Sequence, residues 1–368
     1  MRITILQGAF LPVPNLKGGA VEKIWFELGK EFVRQGHEVT HISRRFGPLP
    51  NEEVVEGVRH IRIQGSDFPS GAWRQKFCDL RYTLAAREVL PVGDILVTNT
   101  FFAPISLRKP QWGKLYVHVA RTPRGQYKYY KRAARIQAVS ESVAEKVRGE
   151  EPELSKRICA IGNPLANQWF SPARLVRAKN RVLYAGRVHP EKGLDILVEA
   201  VNILVNERSI EADVEIVGPW KTDEGGGGVK FLEALKAKSQ GARINWSGLI
   251  NTEAELISRY DEASVFVYPS IAEGETFGLA PLEAMSRGCI TILSDLPCFR
   301  DYAEPSVNCL VFDHRSADRA MLLAARLGEA FGLQDGGAMQ RAAVKTAQGY
   351  DLEKIARLFL DDFESLSP

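Results

Sequence analysis

Short β-rich apolar runs alternate with segments whose apolar residues recur at helical spacing along the whole chain. In the first half, RITILQ, HEVTHIS, VRHIRIQ, DILVTN, KLYVHV and RIQAVS each read as a strand. Between the first two, GGAVEKIWFELGKEFVRQG places Val21, Ile24, Trp25, Leu28 and Phe32 on one helical face, with Gly36 as its stop. The segment ANQWFSPARLVRAKN (166–180) has proline, basic residues and no period, and reads as an interdomain connection. A second series follows: RVLYAGR, DVEIVG, RINWSG, SVFVYPS, ITILSD and CLVFD, again with helices between. The tail DLEKIARLFLDDFESL sets Leu352, Ile355, Ala356, Leu358, Phe359 and Phe363 along an apolar stripe. This alternation predicts parallel sheets wrapped by helices, in two α/β domains over 1–165 and 166–347, followed by a closing helix within 348–368. The halves share no fixed-period repeat, so the likeness is one of architecture.

Composition narrows this little. At 368 residues the chain is too long for one ordinary core. A net charge of +3 gives no whole-protein case for nucleic acid, and no nucleic-acid partner is expected. Five scattered cysteines without CxxC spacing argue against a disulfide framework or zinc knuckle and favour a reducing compartment. MRITILQGAFLPVP lacks the regions of a signal peptide, and no apolar stretch reaches membrane-spanning length. The expectation is a cytoplasmic protein, peripheral on the inner membrane face if its acceptor is held there. The six histidines form no ligand cluster, so no metal is indicated.

In open parallel sheets, ligands sit at the carboxyl ends of the strands, and that filter selects the candidates. Gly18 and Gly19 precede the first helix and either let backbone N–H groups approach an anion or simply form a turn. Arg187 and Lys192, just after the first strand of the second domain, either neutralise a diphosphate leaving group or are solvated loop charges. His118, at the end of KLYVHV, suits a bond to a sugar hydroxyl as well as a locally satisfied core position. RTPRGQYKYYKRAAR carries Arg121, Arg124 and Tyr127 among further cations and tyrosines. That patch fits a phosphorylated acceptor, an anionic membrane face, a single strand of nucleic acid or a solvated helix face. TDEGGGGVKF reads as a mobile loop.

AEGETFGLAPLEAMSRG (272–288) brackets a glycine loop and a helix start with two acids. Pro281 suits a first-turn position, which puts Glu283 in the first turn near free N–H groups that attract phosphate. Glu283 is placed to accept from a ribose diol and Glu275 from a hexose hydroxyl, with a diphosphate between them. Helix capping accounts for one acid but not for the pair.

With these residues in hand, the chain resembles the family 4 glycosyltransferases, retaining enzymes of the GT-B fold. ETFGLAPLE matches the family's two-glutamate motif, with Glu275 and Glu283 as its acids. GGAVEKIWFELGKEFVRQGHEV resembles the N-terminal glycine loop and helix, and YAGRVHPEKGLDILVEA the segment that supplies the phosphate-binding Arg and Lys. EIVGPW and INWSGLI resemble the strand ends around the nucleobase. The resemblance implies two Rossmann-like, doubly wound domains facing across a cleft, with a C-terminal helix crossing back to the acceptor-binding N-terminal domain. It implies metal-independent transfer of a sugar, with its anomeric configuration kept, from a nucleotide-diphosphate sugar, a UDP-sugar first among them. The acceptor is a saccharide, a glycolipid or a small molecule, and no cofactor is needed beyond the donor. His118 and Glu275 are the implied catalytic residues. Gly19, Arg187, Lys192, Gly218, Leu249, Phe277, Gly278, Leu279 and Glu283 are the implied donor contacts. Gly18, Arg121, Arg124 and Tyr127 are expected on the acceptor side. Asn163-Pro164-Leu165 replaces the family's usual Asn-Gly-Val-Asp turn, and VTNTFFAP lacks the histidine often found there. Alternatives are a GT-B sugar-nucleotide 2-epimerase, which would alter the donor alone, and a catalytically silent nucleotide-sugar-binding protein.

Overall fold

The computed structural model describes residues 1–171, 179–239, 241–333 and 337–366. The chain divides into two compact units, Met1–Pro164 with Leu352–Pro368, and Leu165–Asp351.

In the first unit the strands are β1 (Arg2–Leu6), β2 (Glu38–Arg44), β3 (Glu52–Val55), β4 (Val58–Ile63), β5 (Ile95–Thr98), β6 (Lys114–Val119), β7 (Arg135–Ala138) and β8 (Ile158–Ala160). They form one sheet in the order β3-β4-β2-β1-β5-β6-β7-β8, parallel except for the β3–β4 hairpin. Its helices are α1 (Ala20–Arg34), α2 (Ala72–Val89), α3 (Ala103–Ser106) and α4 (Glu141–Glu150). The interior strands are apolar on both faces, as a sheet covered by helices requires: β5 (ILVT) is buried throughout.

The second unit holds α5 (Leu194–Asn202), α6 (Val229–Lys238), α7 (Glu253–Glu262), α8 (Leu279–Ser286), α9 (Arg319–Gly332) and α10 (Ala338–Gln348). Its strands are β9 (Arg181–Ala185), β10 (Asp213–Val217), β11 (Arg243–Gly248), β12 (Val265–Tyr268), β13 (Ile290–Ser294) and β14 (Leu310–Phe312). They run all-parallel in the order β11-β10-β9-β12-β13-β14, the doubly wound arrangement with its reversal between β9 and β12. In the first unit the equivalent reversal lies between β1 and β5.

The closing helix, α11 (Leu352–Ser365), packs on α1 of the first unit. Phe359 meets Trp25 at 5.2 Å between ring centroids, and Phe363 meets Phe32 at 5.8 Å and Tyr116 at 4.8 Å. Burying each ring contributes about 2 kcal/mol. Asp362 adds a polar latch: it accepts from the Tyr116 hydroxyl at 2.8 Å and pairs with Arg135 at 2.6 Å. The predicted apolar stripe needs one correction, because Leu358 is half exposed and Leu360 takes its place in the core.

Residues 172–178 of the expected connection lie outside the described residues, as do 367–368 of the closing segment. The start of that connection is packed structure. Trp169 is buried, its indole donates to Glu253 at 2.7 Å, and its carbonyl accepts from Arg287 at 3.0 Å. Arg287 also forks onto buried Asp261 at 2.7 and 3.0 Å. The four-glycine loop, expected to be mobile, is tied by backbone hydrogen bonds. Gly226, Gly227 and Gly228 donate to Lys221, Val188 and Trp220 carbonyls at 2.7–2.8 Å, and Gly226 is buried.

Candidate functional site

In the second unit the predicted residues gather where the strand order reverses. The turn after β9 carries Arg187 and Lys192, and the loop after β12 carries Glu275. The two loops are stitched together where the Ile271 amide donates to the Glu191 carbonyl at 3.0 Å. Lys192 is buried, and its Nζ donates to Glu275 Oε2 at 2.6 Å and to the Tyr268 hydroxyl at 3.1 Å. Tyr268 in turn donates to the same carboxylate oxygen at 3.0 Å. Burial, with the Glu275 charge beside it, holds the Tyr268 phenol protonated well above its ordinary range. The three groups form a closed triangle of one cation, one anion and one hydroxyl.

Arg187 is more exposed and also partnered. It donates to Glu191 at 2.5 Å and to the Gly225 carbonyl at 2.8 Å, which ties it to the glycine loop. Both cations expected to face a diphosphate are thus already paired with carboxylates. An entering anion would compete with those pairs rather than meet bare charge.

Gly278 enters α8 with φ 81°, a conformation that side chains with a Cβ avoid. A Cβ there would also stand 2.6 Å from Phe299 and 3.0 Å from the Tyr302 hydroxyl. That hydroxyl bonds the Phe277 and Gly278 carbonyls at 3.0 Å each, which turns this stretch of backbone inward and holds it. The helix begins at Leu279, two residues earlier than expected. Pro281 is therefore its third residue, and Glu283 lies beyond the first-turn position predicted for it. Proline's missing N–H is harmless in a first turn, where no intrahelical partner exists. Glu283 instead accepts from the buried Tyr260 hydroxyl at 3.0 Å.

Glycines also close the tips of β9 and β10. A Cβ on Gly218 would collide with the Gly186 carbonyl, so only glycine lets these two strand ends approach. The Gly218 amide donates to Gly248 at 2.8 Å, and Leu249 follows as an exposed residue.

In the first unit a cavity of about 600 Å³ opens at that unit's own strand reversal. Of the residues singled out from the sequence, Gly19, His118, Arg121, Arg124 and Tyr127 line it, and Gly18 is not among its lining residues. His118 is buried, and its Nδ1 lies 2.6 Å from Gln137 Oε1. The Gln137 amide nitrogen donates to the Ala138 and Ile161 carbonyls, both at 2.7 Å, so its oxygen is the end presented to the ring. Nδ1 therefore carries the proton and Nε2 the lone pair. Burial lowers the imidazole to about 4, against the opposing pull of Gln137, so the ring is neutral near pH 7. Nε2 has no partner among the described residues.

Sequence reasoning missed two acids of this cavity, Glu22 and Asp79. Glu22 lies against Gly19, and burial raises its carboxyl while backbone N–H and Arg121 pull the other way. Asp79 accepts from the Phe102 amide at 2.9 Å, and burial pushes it up to about 6. Lys76 lines the cavity as well, with its Nζ 4.9 Å from the Phe101 ring centre. The 121–135 segment is not a helix face but a loop with a short 3₁₀ turn at Tyr127–Tyr129, anchored by buried Tyr127 and Tyr130.

Residues 167–329 match the family model described as glycosyl transferases group 1. The second unit is a group 1 glycosyltransferase domain. The matched span of this group 1 domain contains the Lys192–Tyr268–Glu275 triangle and Glu283. Among curated proteins the chain is similar to the serotype-specific mannosyltransferase WbdA of Escherichia coli, 27% identical over 45% of this chain and 21% of that protein. The chain thus spans about a fifth of that relative's length. Among solved structures it resembles sucrose-phosphate synthase from Thermosynechococcus elongatus (19% identity, 99% of this chain and 98% of that one, TM-score 0.79). It also resembles Anabaena HepE solved in complex with UDP (15% identity, 99% of this chain and 100% of that one, TM-score 0.71). At these identities the structural likeness speaks for the fold, which is GT-B: two Rossmann-like parallel-sheet domains, the second of them the group 1 domain.

Proposed function

We propose that this chain is a retaining glycosyltransferase that moves a sugar from a nucleotide-diphosphate sugar, a UDP-sugar first among the candidates, to a hydroxyl of a saccharide or lipid-linked acceptor. The observation that carries the reading is the buried Lys192–Glu275 pair, 2.6 Å apart where the second sheet reverses, inside the family-matched span. In this reading a diphosphate displaces Glu275 from Lys192. Lys192, Arg187 and the first N–H groups of α8 then absorb the charge that grows as the bond to the sugar breaks. Glu275, released, accepts from hydroxyls of the sugar, while Glu283 accepts from the ribose and Leu249 packs near the base. Charge absorption by fixed cations and amides leaves no step that requires a metal.

In the first unit, the neutral His118 offers Nε2 as an acceptor to a sugar hydroxyl. Lys76, Arg121 and Arg124 make its cavity suited to an acceptor that carries phosphate. The anomeric configuration is kept when the acceptor attacks from the face the leaving diphosphate departs from, with that diphosphate taking the acceptor's proton.

The test is transfer from a panel of nucleotide sugars to saccharide and phosphorylated acceptors, with product configuration read by NMR. Lys192→Ala and Glu275→Ala should each lower transfer by about 100-fold or more while circular dichroism is unchanged. Full activity in either variant overturns the reading. Loss of activity on chelation of divalent ions overturns its metal independence.

A further inference from the structure

The outward face of α2 is built unlike that of an ordinary surface helix. Trp73 is 87% exposed, Phe77 61% and Leu84 44%. At 3.6 residues per turn these three and Leu80 fall within about 60° of arc, a single apolar stripe along the helix. Arg74 and Arg81 flank it on one side, Lys76 and Arg87 on the other, all exposed. Arg74, Arg81 and Arg87 form no ion pair among the described residues, and Glu88 is the only exposed acid on the helix. The opposite face, with Asp79, Tyr82, Thr83 and Ala86, is buried in the first unit.

We infer that this face of α2 docks on an anionic lipid bilayer, the helix lying in the plane of the headgroups with Trp73, Phe77 and Leu84 below them. The charge pattern selects this occupant. A protein partner would cover an apolar stripe with apolar surface and bring acids to pair the cations at fixed positions. Here four long basic side chains border the stripe on both sides, where they reach a layer of negative headgroups as the rings enter the acyl boundary. Indole at this exposure belongs at such a boundary. No helix among the described residues is long and apolar enough to cross a membrane, so the contact is peripheral. The surface also adjoins the cavity that the proposed function assigns to the acceptor. Ala72, Gln75, Lys76 and Asp79 of the same helix line it, as does the half-exposed Phe68. Docking would hold that cavity at the level of lipid headgroups, where a lipid-linked acceptor presents its sugar. The inference stands on the surface itself and does not require the transferase reading to hold.

The test is co-sedimentation of the full chain with vesicles of phosphatidylglycerol and phosphatidylcholine in equal parts, against vesicles of phosphatidylcholine alone. The chain should bind the anionic vesicles and leave the neutral ones, with binding weakened by salt. Each cation near the surface is worth about fivefold in partition, so Arg74→Glu with Arg81→Glu should reduce binding roughly thirtyfold or more. Trp73→Ser with Phe77→Ser should reduce it more than tenfold. Thermal unfolding should be unchanged in both, because all four side chains are exposed. Arg121→Glu with Arg124→Glu, which line the adjoining cavity rather than the docking face, should reduce vesicle binding less than the Arg74/Arg81 pair does. Equal binding of parent and α2 variants overturns the inference, as does loss of binding only in the 121/124 variant. Light scattering that shows a dimer of the parent and a monomer of the Trp73/Phe77 variant also overturns it, and assigns the face to a second copy of the chain.

Discussion

Acidification to pH 5 should destabilise the first unit through imidazoles that its fold keeps neutral. His60 and His118 are buried, and burial lowers each from 6.5 to about 4. His41, wholly buried and stacked on His60 at 5.3 Å, is also lowered well below 6.5, by burial, His60 and Arg62. The sign follows from proton uptake. An unfolded chain binds protons at these rings below pH 6.5, whereas the folded chain resists until about pH 4. Their stabilising contribution is therefore complete above pH 6.5 and is lost as pH falls from there toward 4. At pH 5 the loss is about 2 kcal/mol for each of His60 and His118, and about 3 kcal/mol each once the lower value is passed. Asp79 works the other way, because its folded value near 6 lies above the ordinary carboxyl, and it returns about 1 kcal/mol at pH 5. The net drop between pH 7.5 and 5.0 from these three groups is about 3 kcal/mol, with His41 adding to it and Glu22, raised by burial, taking from it. Urea denaturation followed by tryptophan fluorescence at the two pH values measures this. His60→Gln should shrink the drop by about 2 kcal/mol. A flat response from pH 7.5 to 5.0, or an unaltered drop in His60→Gln, would refute the claim that these rings are held neutral by burial.

Three further outcomes follow from packing and charge. Gly278→Ala places a Cβ against Phe299 in a left-handed conformation and should cost about 2–4 kcal/mol, read as a lowered urea midpoint, with weaker donor binding by calorimetry. Arg287→Met strands buried Asp261 and should cost about 3–5 kcal/mol, whereas the double variant with Asp261→Leu should recover most of it; an additive pair of costs would contradict the buried-pair account. Lys192→Met and Glu275→Gln should be individually destabilising and jointly less so, with a coupling of about 1–3 kcal/mol in a double-mutant cycle at pH 7.5.

Periodicity located the buried strands because both faces of a covered parallel sheet demand unbroken apolar runs. It passed over β3, whose charged sequence EEVV pairs only along one edge, and β8, three residues long. The spacing of Glu275 and Glu283 was legible, but the helix register between them was not. The sequence reading sets Pro281 and Glu283 together in the first turn, and only the Tyr302 clamp on the preceding carbonyls shows why the helix starts at Leu279 and leaves Glu283 beyond that turn. Asp79 left no signal. Its helix buries an acid, a tyrosine and a threonine while exposing tryptophan and phenylalanine, so the apolar period that marks a helix is inverted there. The four glycines gave no sign of a tied loop for a related reason: composition reports freedom in the unfolded chain, whereas the bonds that tie the loop run to the nearby Lys221 and Trp220 carbonyls and to the distant Val188 carbonyl.

The amide of Gln137 has a consequence for selectivity. With both of its N–H groups spent on carbonyls, it can only receive, and the ring of His118 is left able only to receive on its far side. A ligand group at that point must bring its own hydrogen. An ether, carbonyl or fluorine placed there would set lone pair against lone pair, so, if His118 plays the role proposed for it, compounds fluorinated at the matching hydroxyl should bind less tightly although they fit in size.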